Sequence, residues 1–284
     1  MACLTTTGVS INGIAAAVPR NRVSNLDLPL LTERERQQWV KTVGIESRRV
    51  APAGMTASDL CFAAADALLN DLGWERDAID VIVLVTQSPD LLLPGAASQL
   101  QVRLGLGKHV IAIDLNQGCA GYVYGLSVIS AMMAGGFLRR GLLLVGDTIT
   151  HSLSPEDKST VPIFSDAGSA TALSFDRTAS SMHFNLQTDG AGYQAICIPE
   201  GGARVPHSQA DSSLKSYGEG ILRGGLHSGH AGPRRLHRPR RGPPQYPRSL
   251  RFCPGGPDST DRFVFHQANL LLEREHSPET GPAS

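Results

Sequence analysis

The sequence predicts an α/β fold, a sheet sandwiched between helices, and three features of the chain predict it. Asp80-Val-Ile-Val-Leu-Val-Thr86 is an unbroken apolar run without alternation, the pattern of a parallel strand covered on both faces. Strand-like and helix-like patterns alternate around it, as in a sandwich built with right-handed crossovers. Val110 to Leu115 then reads as a buried strand that enters Asn116-Gln117-Gly118 and gives way to a long apolar helix reaching Ala134.

The elements follow in order. Val9 to Val18 alternates loosely and stops at Pro19, as a first strand of a sheet does. Thr32-Glu-Arg-Glu offers a capping box for a short helix through Lys41, closed by Gly44. Thr56 to Asp59 supplies a second cap and an acidic first turn, after which Leu60, Ala63, Ala64, Ala67 and Leu68 recur at helical spacing up to Gly73. Pro94 to Leu104 suggests a third helix. Gly135-Gly136 closes the helix that follows Cys119, and Gly141-Leu-Leu-Leu-Val-Gly146 is the next buried strand. Asp166-Ala-Gly-Ser-Ala170 reads as a small-residue turn leading into Ala172-Leu-Ser-Phe175, and Ser181 to Ile198 again looks like strands.

A chain of 284 residues can bury a large core as one α/β domain or as two fused halves. Its formal charge is +0 and its pI near 7.1, so no global attraction to nucleic acid or membrane is expected. No basic leader with an apolar core begins it, and no apolar run approaches the roughly 20 residues of a membrane span, so a cytoplasmic address is expected. The five cysteines, Cys3, Cys61, Cys119, Cys197 and Cys253, are an odd number without metal-ligand spacing. That argues against a disulfide framework and against structural zinc. Cys61 and Cys197 sit in apolar patterns and read as core filler.

Cys119 is different. It reads as the first residue of its helix, where unsatisfied N–H groups and the positive end of the macrodipole favour a thiolate; the alternative is one more buried small hydrophobe. Phe263-Val264-Phe265-His266-Gln267-Ala268-Asn269 is a second short strand, ending on an imidazole where a helix can begin. A cysteine and a histidine delivered by distant strand ends are a common plan for acyl transfer through a covalent thioester. A papain-like hydrolase shares the pair, but the Cys-Gly-Ser-Cys-Trp context of that family is missing around Cys119.

Gln-Gly-Cys119-Ala-Gly-Tyr and His266-Gln-Ala-Asn resemble the two active-site motifs of β-ketoacyl-[acyl-carrier-protein] synthase III, a member of the thiolase superfamily. Trp39-Val-Lys-Thr-Val-Gly-Ile-Glu-Ser-Arg48-Arg49 resembles a further signature of that family, and the turn at Asp166 its Gly-Asp-Gly-Ala motif. The resemblance implies a thiolase-like layered αβαβα fold with an incomplete second half. Residues 1–175 would form the half carrying Cys119, and residues 176–284 a partial half carrying His266. It implies an acyltransferase that condenses an acyl-coenzyme A with malonyl-acyl carrier protein, in fatty-acid or related biosynthesis. Cys119 would be the nucleophile, and His266 a donor to the malonyl thioester as carbon dioxide leaves. Trp39 would hold the adenine of coenzyme A; the alternative for Trp39 is a partly buried aromatic staple. Coenzyme A and acyl carrier protein are thus expected partners, a homodimer the expected assembly, and no metal or redox cofactor is required.

The family's downstream asparagine loop has no counterpart before Ser284, and Asn269 belongs to the histidine motif. Between Arg223 and Pro257 the chain carries eight arginines and no acidic residue, a composition that builds no core. Two readings of this insert, 223–260, stay open: a basic arm for an acidic partner, or a reading-frame slip restored near Asp261. If the second holds, the chain is an inactive remnant or at most a dimerising scaffold.

Overall fold

The computed structural model describes residues 2–190, 196–198 and 201–206, together with the backbone of three further short strands within 215–228. His266 and its motif lie outside the described residues. So does the arginine-rich insert 223–260, apart from one two-residue strand.

In order, the chain forms β1 (Ala2–Thr6), β2 (Val9–Ala17), β3 (Arg22–Ser24), α1 (Glu33–Val43), β4 (Ser47–Arg49), α2 (Ala57–Leu72), β5 (Val81–Val85), α3 (Ala96–Arg103) and β6 (Ile111–Leu115). It continues with α4 (Gly121–Met133), β7 (Arg140–Asp147), β8 (Ala167–Phe175) and β9 (Met182–Leu186). Short strands β10 (Ile196–Cys197), β11 (Lys215–Tyr217), β12 (Gly220–Leu222) and β13 (His227–Ser228) follow, β10 pairing with β13 and β11 with β12.

Five strands make the central sheet, in the order β2-β8-β7-β5-β6. β5 runs parallel to both β6 and β7, whereas β8 is antiparallel to β7 and to β2. The sheet is therefore mixed, parallel only where helices make the crossovers. β5 explains why its sequence shows no alternation. Ile82 and Leu84 join Cys61, Leu68 and Leu69 of α2 and Leu100 of α3 in one core. Val81, Val83 and Val85 join Leu126, Ile129 and Met133 of α4 in the other. All five side chains of β5 are essentially inaccessible. The result is an α–β–α sandwich, one half of the thiolase-like layered architecture.

Both predicted caps form, each as a capping box. Thr32 accepts from the Glu35 amide while Glu35 accepts from the Thr32 amide, and Thr56 and Asp59 repeat the exchange at α2. Gly44 and Gly73 close the two helices in the left-handed conformation, at φ 82° and 60°.

Four expectations need correction. β6 is the outer strand of the sheet among the described residues, with Ile111 39% exposed, so it is half-covered rather than buried. Cys119 lies two residues before the first residue of α4, in the turn that leads into it. The segment from Ala167 is already strand and not turn; a Cβ at Gly168 would sit 2.5 Å from the Cys61 amide nitrogen, so the close passage is against α2. Cys197 is only half-buried, since β10 pairs with a two-residue strand instead of entering the sheet. Cys61 does belong to the core, at 0% exposure, and burial pushes its thiol up to about 12.

Candidate active site

The C-terminal ends of β5, β6 and β7 converge, which is where parallel α/β sheets place their sites. Asp147, the last residue of β7, ties them together. Its Oδ1 accepts from the Thr86 hydroxyl at 3.0 Å, the Gln87 amide at 2.7 Å, and the Ser88 amide and hydroxyl at 3.0 and 2.9 Å. Ser88 Oγ in turn accepts from the Thr148 amide at 2.8 Å. The Thr86 amide donates to Leu115 O, so the loop after β5 is bonded to the end of β6 as well.

From Leu115 the chain runs through Asn116, Gln117 and Gly118 to Cys119. Gly118 O accepts from the Gly121 amide at 2.7 Å, closing a tight turn with Cys119 and Ala120 at its centre. Small residues are required beyond it. A Cβ on Gly121 would lie 2.7 Å from Val85 Cγ1, and one on Gly125 2.6 Å from Leu143 Cδ1. With those glycines α4 settles directly on β5 and β7 and presents the turn at the mouth of the sheet. Cys119 is exposed there rather than packed into the core. No side chain caps the start of α4.

Asp166 organises the neighbouring wall. Fully buried, it accepts from the amides of Ala51 at 2.7 Å and Thr150 at 3.1 Å, and from the Thr150 hydroxyl. Arg48, 5% exposed, donates to Asn25 Oδ1 at 2.9 Å. Burial pulls the Arg48 pKa below the usual arginine value, against the opposing pull of the Asp166 charge.

Trp39 lies on α1, at a groove of about 410 Å³ lined also by Leu31, Arg34, Glu35, Gln38 and Lys158. Its indole Nε1–H is buried without a hydrogen-bond partner among the described residues. Lys158 reaches across to Glu35, 3.2 Å from Oε1. The Thr32 amide and hydroxyl bonds, with Lys158 adding to them, hold the Glu35 carboxyl at about 2. The structure thus places Cys119 at the strand ends and Trp39 in a groove on α1.

The sequence pattern does not single out Lys158, Gln87 or Asp147. Gln87 and Asp147 share one usable signal, since each is a polar residue at the C-terminal end of an otherwise apolar parallel strand. Lys158 has none, because its groove joins segments far apart in the chain.

Comparison with known proteins agrees with this geometry. A family model described as 3-oxoacyl-[acyl-carrier-protein (ACP)] synthase III matches residues 113–190, the segment holding Cys119 and Asp166. A β-ketoacyl-[acyl-carrier-protein] synthase III of Rhodopirellula baltica is 33% identical over 241 residues, covering 76% of this chain and 69% of the relative. A putative 3-oxoacyl-[acyl-carrier-protein] synthase 3 of Campylobacter jejuni is 33% identical over 211 residues, 72% of this chain but 59% of that protein. The chain thus spans about three fifths of the Campylobacter relative's length. The crystal structure of a 3-oxoacyl-(acyl-carrier protein) synthase from Burkholderia xenovorans superposes with a TM-score of 0.84 at 34% identity, covering 96% of this chain and 77% of that one. By its sequence and its fold, the chain belongs to the β-ketoacyl-[acyl-carrier-protein] synthase III family.

Proposed function

We propose that the chain is an acyltransferase that condenses an acyl-coenzyme A with malonyl-acyl carrier protein. The observation that carries this is Cys119, exposed in a tight turn where three parallel strands end, in a chain of this family. The Cys119 sulfur attacks the thioester carbonyl carbon, the carbon–sulfur bond to coenzyme A breaks, and coenzyme A leaves as its thiol, giving an acyl-cysteine. Malonyl-acyl carrier protein then loses carbon dioxide. The enolate carbon attacks the acyl-cysteine carbonyl, and the Cys119 thiolate departs as the β-ketoacyl product forms.

Main-chain N–H groups at an uncapped helix start suit the oxyanion of the first step. His266 is our choice of donor for the second. Decarboxylation drives the carbon–carbon bond, so neither a metal nor a redox cofactor is needed. The Trp39 groove suits coenzyme A: an aromatic side chain and two cations, Arg34 and Lys158, for phosphates. The edge of β6, open among the described residues, supports a homodimer in which a second copy pairs with that strand. We place the enzyme in the cytoplasm. We assign residues 1–175 to the cysteine-bearing half and 176–284 to its partner half. Family membership favours catalysis over a non-catalytic scaffold.

The test is intact-protein mass spectrometry after incubation with a short-chain acyl-coenzyme A. One acyl group should add to the wild-type chain, map to Cys119, and be absent from Cys119→Ala. Acylation that survives this substitution refutes the assignment.

A further inference from the structure

We propose that Gln87 is a positioning residue for Cys119: it clamps the segment Asn116 to Gly118 so that the thiol meets an incoming thioester at one fixed angle. This rests on the acyl-transfer reading above. The side chain makes one hydrogen bond to that segment and packs against it at a second point. Gln87 Nε2 donates to Asn116 Oδ1 at 3.2 Å. Oε1 lies against Gly118 so closely that a Cβ there would be 2.5 Å away. Gly118, the residue bonded to Cys119, leaves room for that approach.

The clamp has a fixed base. Gln87's own amide is held by Asp147 Oδ1 at 2.7 Å, and the residues on either side, Thr86 and Ser88, donate to the same oxygen. A continuous path therefore runs from the end of β7, through Gln87, to the turn after β6. That turn is stiff, because Gly118 O accepts from the Gly121 amide across Cys119 and Ala120. A displacement of Gly118 is therefore passed to the sulfur-bearing residue. Gln87 is itself exposed, so its length and polarity are not explained by core packing.

Orientation matters for an attack on a planar thioester, where a misplacement of about 1 Å can cost about 10²-fold in rate. It matters little for a small alkylating agent that approaches from many directions. The experiment measures, on the full chain, the rate constants for acylation of Cys119 by acetyl-coenzyme A and for its alkylation by iodoacetamide. In Gln87→Ala acylation should fall about tenfold to a hundredfold while alkylation stays within about twofold and thermal unfolding is unchanged. Asn116→Ala should show the same split, and the double variant should lose no more than Gln87→Ala alone, since that substitution already removes the hydrogen bond that Asn116→Ala breaks. Equal acylation by wild type and Gln87→Ala overturns the clamp, as does a parallel fall in both rates. If the wild-type chain itself takes no acyl group at Cys119, the acyl-transfer reading fails and the clamp with it, an outcome set apart because it appears without any substitution.

Discussion

Helices α2 and α4 lie on opposite faces of the same sheet, each with a cysteine near its start, yet they begin in opposite ways. α2 starts from an extended Thr56 (φ −110°, ψ 167°) whose hydroxyl accepts from Asp59 N while Asp59 accepts from Thr56 N. α4 starts from Ala120 at φ −86°, ψ 7°, a turn geometry from which a side chain cannot fold back onto the first amides. Cys61 of α2 is sealed against Gly146 and Gly168, whereas Cys119 stands in solvent. A helix meant to hold the fold satisfies its own first turn. The helix that follows Cys119 leaves that turn open and is held by packing, here through Gly121 and Gly125 against Val85 and Leu143.

Thiol labelling should give the largest contrast. With its thiol pushed up to about 12, Cys61 carries roughly 10³-fold less thiolate than an ordinary cysteine at neutral pH, before its burial is counted. Iodoacetamide followed by peptide mapping should modify Cys119 at least that much faster than Cys61; comparable rates would erase the distinction. Cys3 is exposed too, but on β1, and should react with iodoacetamide while taking no acyl group from coenzyme A.

Packing comes next. Gly168→Ala drives a Cβ onto the backbone of α2, 2.5 Å from Cys61 N and 2.6 Å from Leu60 C, and neither atom can rotate away. A loss of about 1–3 kcal/mol in urea unfolding is expected, at the upper end of that range. An unchanged midpoint would mean that α2 is not seated as described.

The caps themselves offer a smaller and paired test. Thr56→Ala should cost about 1 kcal/mol, whereas Ala120→Ser should change stability by less than about 0.5 kcal/mol because the backbone at 120 cannot use the new hydroxyl. A stabilising Ala120→Ser would show that the start of α4 is cappable after all.

The smallest effect is in pH. The Glu35 carboxyl of the α1 cap is held near 2, below its ordinary 4.5, so its contribution is present above the ordinary value and is lost as pH falls from about 4.5 through about 2. The difference in melting temperature between wild type and Glu35→Gln should therefore shrink across that window. A difference constant from pH 5 to pH 2 would contradict the cap.

What the sequence discloses is what local chemistry decides. Thr32 with Glu35, Thr56 with Asp59, and the left-handed glycines 44 and 73 announce two helices almost to the residue, because caps act within one turn. The apolar run of β5 announces a strand. The similar run of β6 announces one too but cannot say that β6 is the outermost, since strand order is set by pairings between segments far apart in the chain. β8 hides its antiparallel direction for the same reason. Cys119 stands out because small residues crowd around it. The clamp from Asp147 through Gln87 to Gly118 is invisible in one dimension, because it joins three strand ends separated by dozens of residues.

The outer position of β6 also bears on how the protein survives in a cell. Among the described residues β6 pairs on one side only, and its other side runs past the apolar residues Ile111, Ala112 and Ile113, the kind of edge that recruits stray strands. A newly made copy is therefore exposed to aggregation until that edge is covered. In the homodimer proposed above, yield in soluble form should rise with the speed at which two copies meet, and fall when synthesis is slow or dilute enough to leave single chains waiting.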